Sequence, residues 1–240
     1  MGWHRELLIG FDLETTGTDP DEARIVTAAV VEVRGGEAVG GREWLADPGI
    51  PIPQDAVAVH GITNARAAAD GRPAREVVAE IADVLVAHWR AGTPVVAYNA
   101  AFDLSMLAAE LRRHGLPSLP ERLGRADVGP VIDPYTIDRS VDRYRKGKRT
   151  LEAVCGHYGV PLDQAHEARS DALAAAQVAC AVAERHAQVA RLDLWELHRK
   201  QVGWYAEWAA DFQSWLRRKG TQDAVVDGAW PLRGAPAIAG

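Results

Sequence analysis

Residues 7–16 read Leu-Leu-Ile-Gly-Phe-Asp-Leu-Glu-Thr-Thr, and no other stretch constrains the chain as tightly. The run Leu7–Phe11 is apolar without alternation, which suits a central strand covered on both faces. It ends in Asp12 and Glu14. Residues two apart on an extended strand project from the same face, so the two carboxylates stand close together. Like charges at that separation raise each other's pKa unless a cation lies between them, and a divalent metal is the simplest account of the pair. Taken alone, an Asp-x-Glu at a strand end more often turns into solvent and merely solubilises it.

A chain of 240 residues with 48% hydrophobic content suits one large domain, or one domain with an appendage. It contains no apolar run long enough to span a bilayer and no basic region followed by an apolar core at its start, so a cytoplasmic location without membrane attachment is expected. Cys155 and Cys180 sit at apolar positions of predicted helices, outside any metal-ligand spacing, and read as small core residues in a reducing compartment. The net charge of −6 argues against a chain that coats nucleic acid nonspecifically. Any such contact is local. One segment qualifies, in which Arg139, Arg143, Arg145, Lys146, Lys148 and Arg149 are diluted by Asp138 and Asp142. It reads either as a solvated helix end or as a phosphate-binding patch.

The β-branched run Ile25–Val33, followed by Gly35-Gly36, predicts a strand entering a hairpin. Residues 48–53 are rich in proline and form a loop, and helical spacing of Val77, Val78, Ile81, Val84 and Leu85 predicts a helix over 75–89. A short strand at Val95–Tyr98 leads into a helix over 102–114, and Val131–Asp133 predicts another strand. Further helices are expected over 150–158 and from Ser170-Asp171 through Ala187. Strands alternating with helices indicate an α/β domain with a mixed sheet over 1–186. Five of eight tryptophans fall in the last quarter of the chain. The series Trp195, His198, Val202, Tyr205, Ala209, Phe212 and Trp215 predicts a long amphipathic helix over 187–219, serving as added core or as an interaction surface. A loosely ordered tail is expected over 220–240, from its Gly, Pro and Ala content.

Two more acids stand at helix starts, Asp103 after Tyr98-Asn99-Ala100-Ala101-Phe102 and Asp171 five residues after His166. An acid in a first helical turn complements the helix dipole and needs no other role. In combination the set has a family likeness. Phe11-Asp12-Leu13-Glu14-Thr15-Thr16-Gly17, Asn99–Asp103 and His166-x-x-x-x-Asp171 resemble the three motifs of the 3′-to-5′ exonucleases with four acids and a histidine, the DEDDh type, which include proofreading subunits of bacterial polymerase III, oligoribonuclease and ribonuclease T. A Tyr-x-x-x-Asp third motif, which would mark the tyrosine branch, is absent. Val59-His60-Gly61-Ile62-Thr63 is similar to a further signature of the proofreading members. The likeness spans 6–186 and leaves out the tryptophan-rich end.

The resemblance implies a ribonuclease H-like fold with a mixed sheet flanked by helices, extended here by a C-terminal helix. It also implies phosphodiester hydrolysis with two divalent cations, Mg²⁺ or Mn²⁺, bound by Asp12, Glu14, Asp103 and Asp171. Oxygen ligands suit those ions better than zinc. His166 would be the general base, since imidazoles titrate near neutral pH. Leu13, Thr15 and Thr16 would hold the terminal nucleotide, with His60, Asn99 and Phe102 lining its pocket. Single-stranded DNA 3′ ends are the expected substrate, released as nucleoside 5′-monophosphates in proofreading or repair. A DNA polymerase partner follows by family analogy. The motifs do not separate DNA from RNA, so an exoribonuclease is the alternative, and a binding module that has lost catalysis is a second.

Overall fold

The apolar run at the N-terminus becomes an inner strand of a six-stranded sheet in the computed structural model, which describes residues 2–162 and 165–234. After a short 3₁₀ turn at Trp3–Arg5 come β1 (Leu7–Thr15), β2 (Ile25–Arg34) and β3 (Glu37–Asp47). They are followed by α1 (Gln54–His60), α2 (Asn64–Asp70), β4 (Arg72–Pro73), α3 (Ala74–Arg90), β5 (Val95–Val96), α4 (Ala100–Arg113) and α5 (Leu119–Leu123). The remainder is β6 (Val131–Ile132), α6 (Pro134–Val141), α7 (Leu151–Tyr158), α8 (Ala168–Arg185), α9 (Ala187–Ala190) and α10 (Leu194–Arg218). The strand order is β4-β3-β2-β1-β5-β6. β1, β2 and β3 pair antiparallel, whereas β5 and β6 extend the sheet parallel to β1.

Gly35 and Gly36, with φ of 59° and 83°, supply the two left-handed positions of a tight hairpin turn between β2 and β3. On β1 the odd residues Ile9, Phe11 and Leu13 join α3 and α4 in one core. Leu8 faces the other core, with β2 residues Ala29, Val31 and Val33 and the alanine-rich face of α8. That double burial explains the absence of alternation in the run.

Several sequence expectations shift at their edges. Asp133 is the N-cap of α6, accepting from the Tyr135 and Thr136 N–H groups, and β6 ends at Ile132. The helix expected through Ala187 ends at Arg185, with α9 following. α10 begins at a capping box in which Asp193 and Glu196 satisfy each other's backbone N–H groups. Its inner half packs on the sheet domain, with Leu197, His198, Gln201, Tyr205 and Ala209 buried. Beyond Gly220 the chain has no regular secondary structure among the described residues, but it is not loose throughout. Trp230 is 5% exposed in the core beside α3 and α4, and its indole N–H donates to Asp133 at 3.3 Å. A single large indole with a buried hydrogen-bond partner outweighs the flexibility of its Gly and Ala neighbours. Residues 235–240, the end of the expected tail, lie outside the described residues. Both cysteines are free thiols, Cys155 buried and Cys180 partly so.

Candidate active site

β5 is short, and its shortness opens the site. It pairs only with Ile9 and Gly10 of β1, so the next part of that edge of β1 is free of strand partners. The N-terminus of α4 takes the space. The Leu13 N–H, which a longer β5 could have bound, donates instead to Asp103 Oδ1 at 3.1 Å. Asp103, 2% exposed, is thereby held beside the end of β1 that carries Asp12 and Glu14.

The turn from β5 into α4 is held in turn by Asp133. This fully buried carboxylate accepts from the Asn99 and Ala100 N–H groups at 2.9 and 3.2 Å, from the Thr136 hydroxyl at 2.8 Å and from Trp230. Asn99 occupies the left-handed region at φ 67°, which asparagine tolerates better than most residues. Asp133 was not singled out in the sequence. An acid directly before Pro134 at a strand end is an N-cap signal, but nothing in that local pattern reveals that it also ties down α4 and Trp230.

Asp171 arrives from the opposite face of the sheet. α8 lies unusually close to β1, because a Cβ at Gly10 would come within 2.2 Å of the Ala172 carbonyl oxygen. Glycine in the strand and alanines along the helix are what permit that approach. Asp171, one residue earlier, is 9% exposed and is delivered next to Asp12 and Glu14. Its Oδ2 accepts from the His166 N–H at 3.2 Å, and its Oδ1 is buried with no hydrogen-bond partner. His166 is exposed, in a loop, at φ 67°.

The electrostatics follow from this convergence. Burial raises the pKa of Asp12 well above the carboxylate range, and Asp103, Asp171 and Glu14 raise it further. Burial, then Asp171, pushes Glu14 up to about 8. Asp103 and Asp171 are raised by burial as well, against hydrogen bonds that favour their charged forms. No Lys, Arg or His pairs with any of the four within 4 Å among the described residues. One ligating atom each of Glu14, His166 and Asp171 lies within 4.8 Å of the others. Four unpaired acids, one with an orphaned buried oxygen, fit a divalent cation.

A cleft of about 630 Å³ opens beside this cluster and reaches it through Glu14, with His60 and His166 also in its lining. His60 is partly buried, its Nδ1 accepts the Ile62 N–H at 3.1 Å, and its Nε2 is buried without a partner. The cleft also includes Trp44, Arg66 and Arg169, which the sequence did not mark. Leu13 points its side chain into the core on the far face, 4% exposed, so its backbone is what it brings to the site. The Thr16 hydroxyl accepts the Arg24 N–H at 2.9 Å and is 7% exposed, closing the loop after β1. Thr15 donates to the Gly17 carbonyl at 2.6 Å, and Phe102 packs partly buried against the core.

A mixed sheet thus carries four acids and a histidine about the end of its inner strand, with ligating atoms of Glu14, His166 and Asp171 closest together. A family profile described as exonuclease, of the ribonuclease T type, matches residues 9–179. The chain belongs to this exonuclease family, a class of 3′-to-5′ phosphodiester hydrolases. It is 34% identical over 172 residues to a DNA polymerase III subunit epsilon-like protein of Rhodobacter capsulatus, covering 70% of this chain and 22% of the relative. It is 28% identical over 163 residues to a PolC-type DNA polymerase III of Lacticaseibacillus paracasei, covering 68% of this chain and 10% of the relative. The chain thus spans about a fifth or less of the length of these relatives. E. coli exonuclease I in complex with a dT13 oligonucleotide superimposes with a TM-score of 0.64 at 21% identity, covering 77% of this chain and 42% of that one. The ribonuclease H-like exonuclease fold is therefore shown.

Proposed function

We propose that the chain is a metal-dependent 3′-to-5′ exonuclease acting on single-stranded DNA ends. The observation that carries this reading is the set of four carboxylates without protein cations, one of them with a buried, unpartnered oxygen. Asp12, Glu14, Asp103 and Asp171 would hold two divalent cations, Mg²⁺ or Mn²⁺, which when bound neutralise charge on the phosphate and lower the pKa of water. His166, exposed at the rim of the cleft, takes the proton of the attacking water on a ring nitrogen. Asp133 fixes the α4 N-terminus, and through it Asp103, and so acts by positioning. His60 offers its unpartnered Nε2 to the terminal nucleotide, with Phe102, Asn99, Thr15, Thr16 and the Leu13 backbone around it.

The dT13 oligonucleotide bound by E. coli exonuclease I supports single-stranded DNA as substrate, and the polymerase III relatives support a role in proofreading or repair. A DNA polymerase partner enters the reading through those relatives. No helix among the described residues is long and apolar enough to cross a membrane. Two free thiols suit action in the reducing cytoplasm.

The decisive experiment incubates 5′-labelled single-stranded DNA and RNA of matched sequence with the purified chain in Mg²⁺, Mn²⁺ or chelator. A ladder shortening from the 3′ end of DNA is expected with metal, and none with chelator or with Asp12→Ala. His166→Ala should lower the rate about 100-fold or more while leaving metal-dependent DNA binding in place, the scale of a lost general base. Activity that persists in chelator would overturn the reading, and faster degradation of RNA would move it to a ribonuclease.

A further inference from the structure

The acids at the end of β1 leave a second chemical face unexplained. Along α10 the rings of Trp208, Phe212 and Trp215 stack nearly parallel, with centroids 5.5 and 5.8 Å apart and planes within 12° and 13°. Spacings of four and three place them on one side of the helix. Core packing does not account for the outer part of this stack, since Phe212 is 37% and Trp215 47% exposed. At its inner end Trp208 meets Tyr135 of α6 at 6.5 Å, and Tyr135 meets Tyr98 at 5.5 Å. Tyr98 directly precedes Asn99. An aromatic row therefore leads from the turn that carries α4 outward to the far end of α10.

Cations line the same row. The Arg139 guanidinium sits 4.3 Å from the Trp208 ring centre and 4.8 Å from that of Tyr135, and donates to the Tyr135 hydroxyl at 2.8 Å. It makes no ion pair among the described residues, unlike Arg143, Arg145 and Arg149. The cavity of about 390 Å³ between α6 and α10 is lined by four arginines against Glu207 and Asp211, opposite in sign to the chain's net charge of −6. The adjoining loop adds Lys146, Lys148 and Tyr144, the last 89% exposed.

We propose that this row is a binding track for single-stranded nucleic acid, holding the strand upstream of the 3′ end that sits at the acids about the end of β1. A base stacks on Trp215 at the outer end of the row, with Phe212 backing that ring, and phosphates meet Arg139 and its neighbours. The inference rests on the nuclease reading. A half-exposed indole with the Lys219 ammonium 6.0 Å from its ring centre offers both a stacking surface and a cation to an unpaired nucleotide, whereas a duplex keeps its base faces stacked internally. A guanidinium without a carboxylate suits phosphate, and would be left uncompensated under an apolar helix of a protein partner.

The test uses the full chain in chelator, so that binding is read without cleavage, and fluorescein-labelled oligothymidylates of increasing length followed by anisotropy. Affinity should climb with length and then level off. Phe212→Ala with Trp215→Ala should lower affinity for the longest oligonucleotide about tenfold while leaving the shortest unchanged. Arg139→Gln should flatten the salt dependence by about 0.7 in log–log slope. Both substituted aromatics are exposed, so folding is retained, and an unchanged thermal transition verifies it. Equal affinity of the double variant at every length would overturn the track even with the nuclease intact. So would dispersal of a self-associated form by the double variant with oligonucleotide affinity unchanged, which would make the face a protein contact. Failure of metal-supplied chain to degrade any oligonucleotide would instead strike the nuclease reading itself.

Discussion

Asp138, on the inner face of α6, and the aspartates gathered at the end of β1 have opposite surroundings. Asp138 is fully buried and accepts from Arg145 at 2.6 Å, from Arg149, and from the Tyr158 hydroxyl at 3.0 Å. Asp12, Asp103 and Asp171 lie near one another, yet no basic side chain pairs with them among the described residues, and burial, with neighbouring carboxylates adding to it, raises the pKa of each. Asp138 is satisfied by protein alone. The acids at the end of β1 are not, and that difference is what the proposed metal-binding role rests on.

Breaking each arrangement should change stability in opposite directions. Asp138→Asn leaves two partly buried arginines without their carboxylate, and should cost about 3–5 kcal/mol of unfolding free energy in denaturant titrations. Asp171→Asn removes one of the repelling charges, and should raise the stability of metal-free protein while abolishing nuclease activity. A loss of stability in both variants would erase the contrast. Gly10→Ala tests how the acids at the end of β1 are assembled. Its Cβ would collide with the Ala172 carbonyl and push α8 off β1, so a loss of about 1–3 kcal/mol is expected, together with a fall in activity greater than instability explains. Wild-type activity in that variant would show that the close approach does not set the position of Asp171.

A further consequence concerns pH. Glu14 keeps its proton up to about 8 in the fold but loses it near 4.5 when unfolded, so the native state binds more protons between those values. Stability of metal-free protein should therefore fall as pH rises from about 4.5 to 8. In a thermal melt the midpoint should drop steadily across that window, and saturating Mn²⁺ should flatten the dependence. A midpoint that rises with pH in chelator would contradict the repulsion argument.

Much of the site was legible in residue order. The unbroken run before Asp12 announced a strand buried on both faces, and the family likeness read over 6–186 agrees with a family profile that matches 9–179. The tail was less legible, because its composition promised looseness and a single indole, Trp230, made it part of the core. The basic segment was equally opaque. Its arginines are adjacent in sequence, but Arg145 and Arg149 turn inward to Asp138 while Arg139 lies between aromatic rings.

Local chemistry was enough to name strand, helix starts and the acids themselves, because hydrophobic pattern and spacing act over a few residues. Which acids would meet, and which would be neutralised, depended on long-range packing. Gly10 lets α8 approach, and the short β5 lets α4 in, so Asp171 and Asp103 reach Asp12 from opposite faces of the sheet. Asp138 and Asp171 are both acids on helices with arginines nearby in sequence. Only the direction in which each helix turns its side chains gives one its arginines and leaves the other beside its own kind.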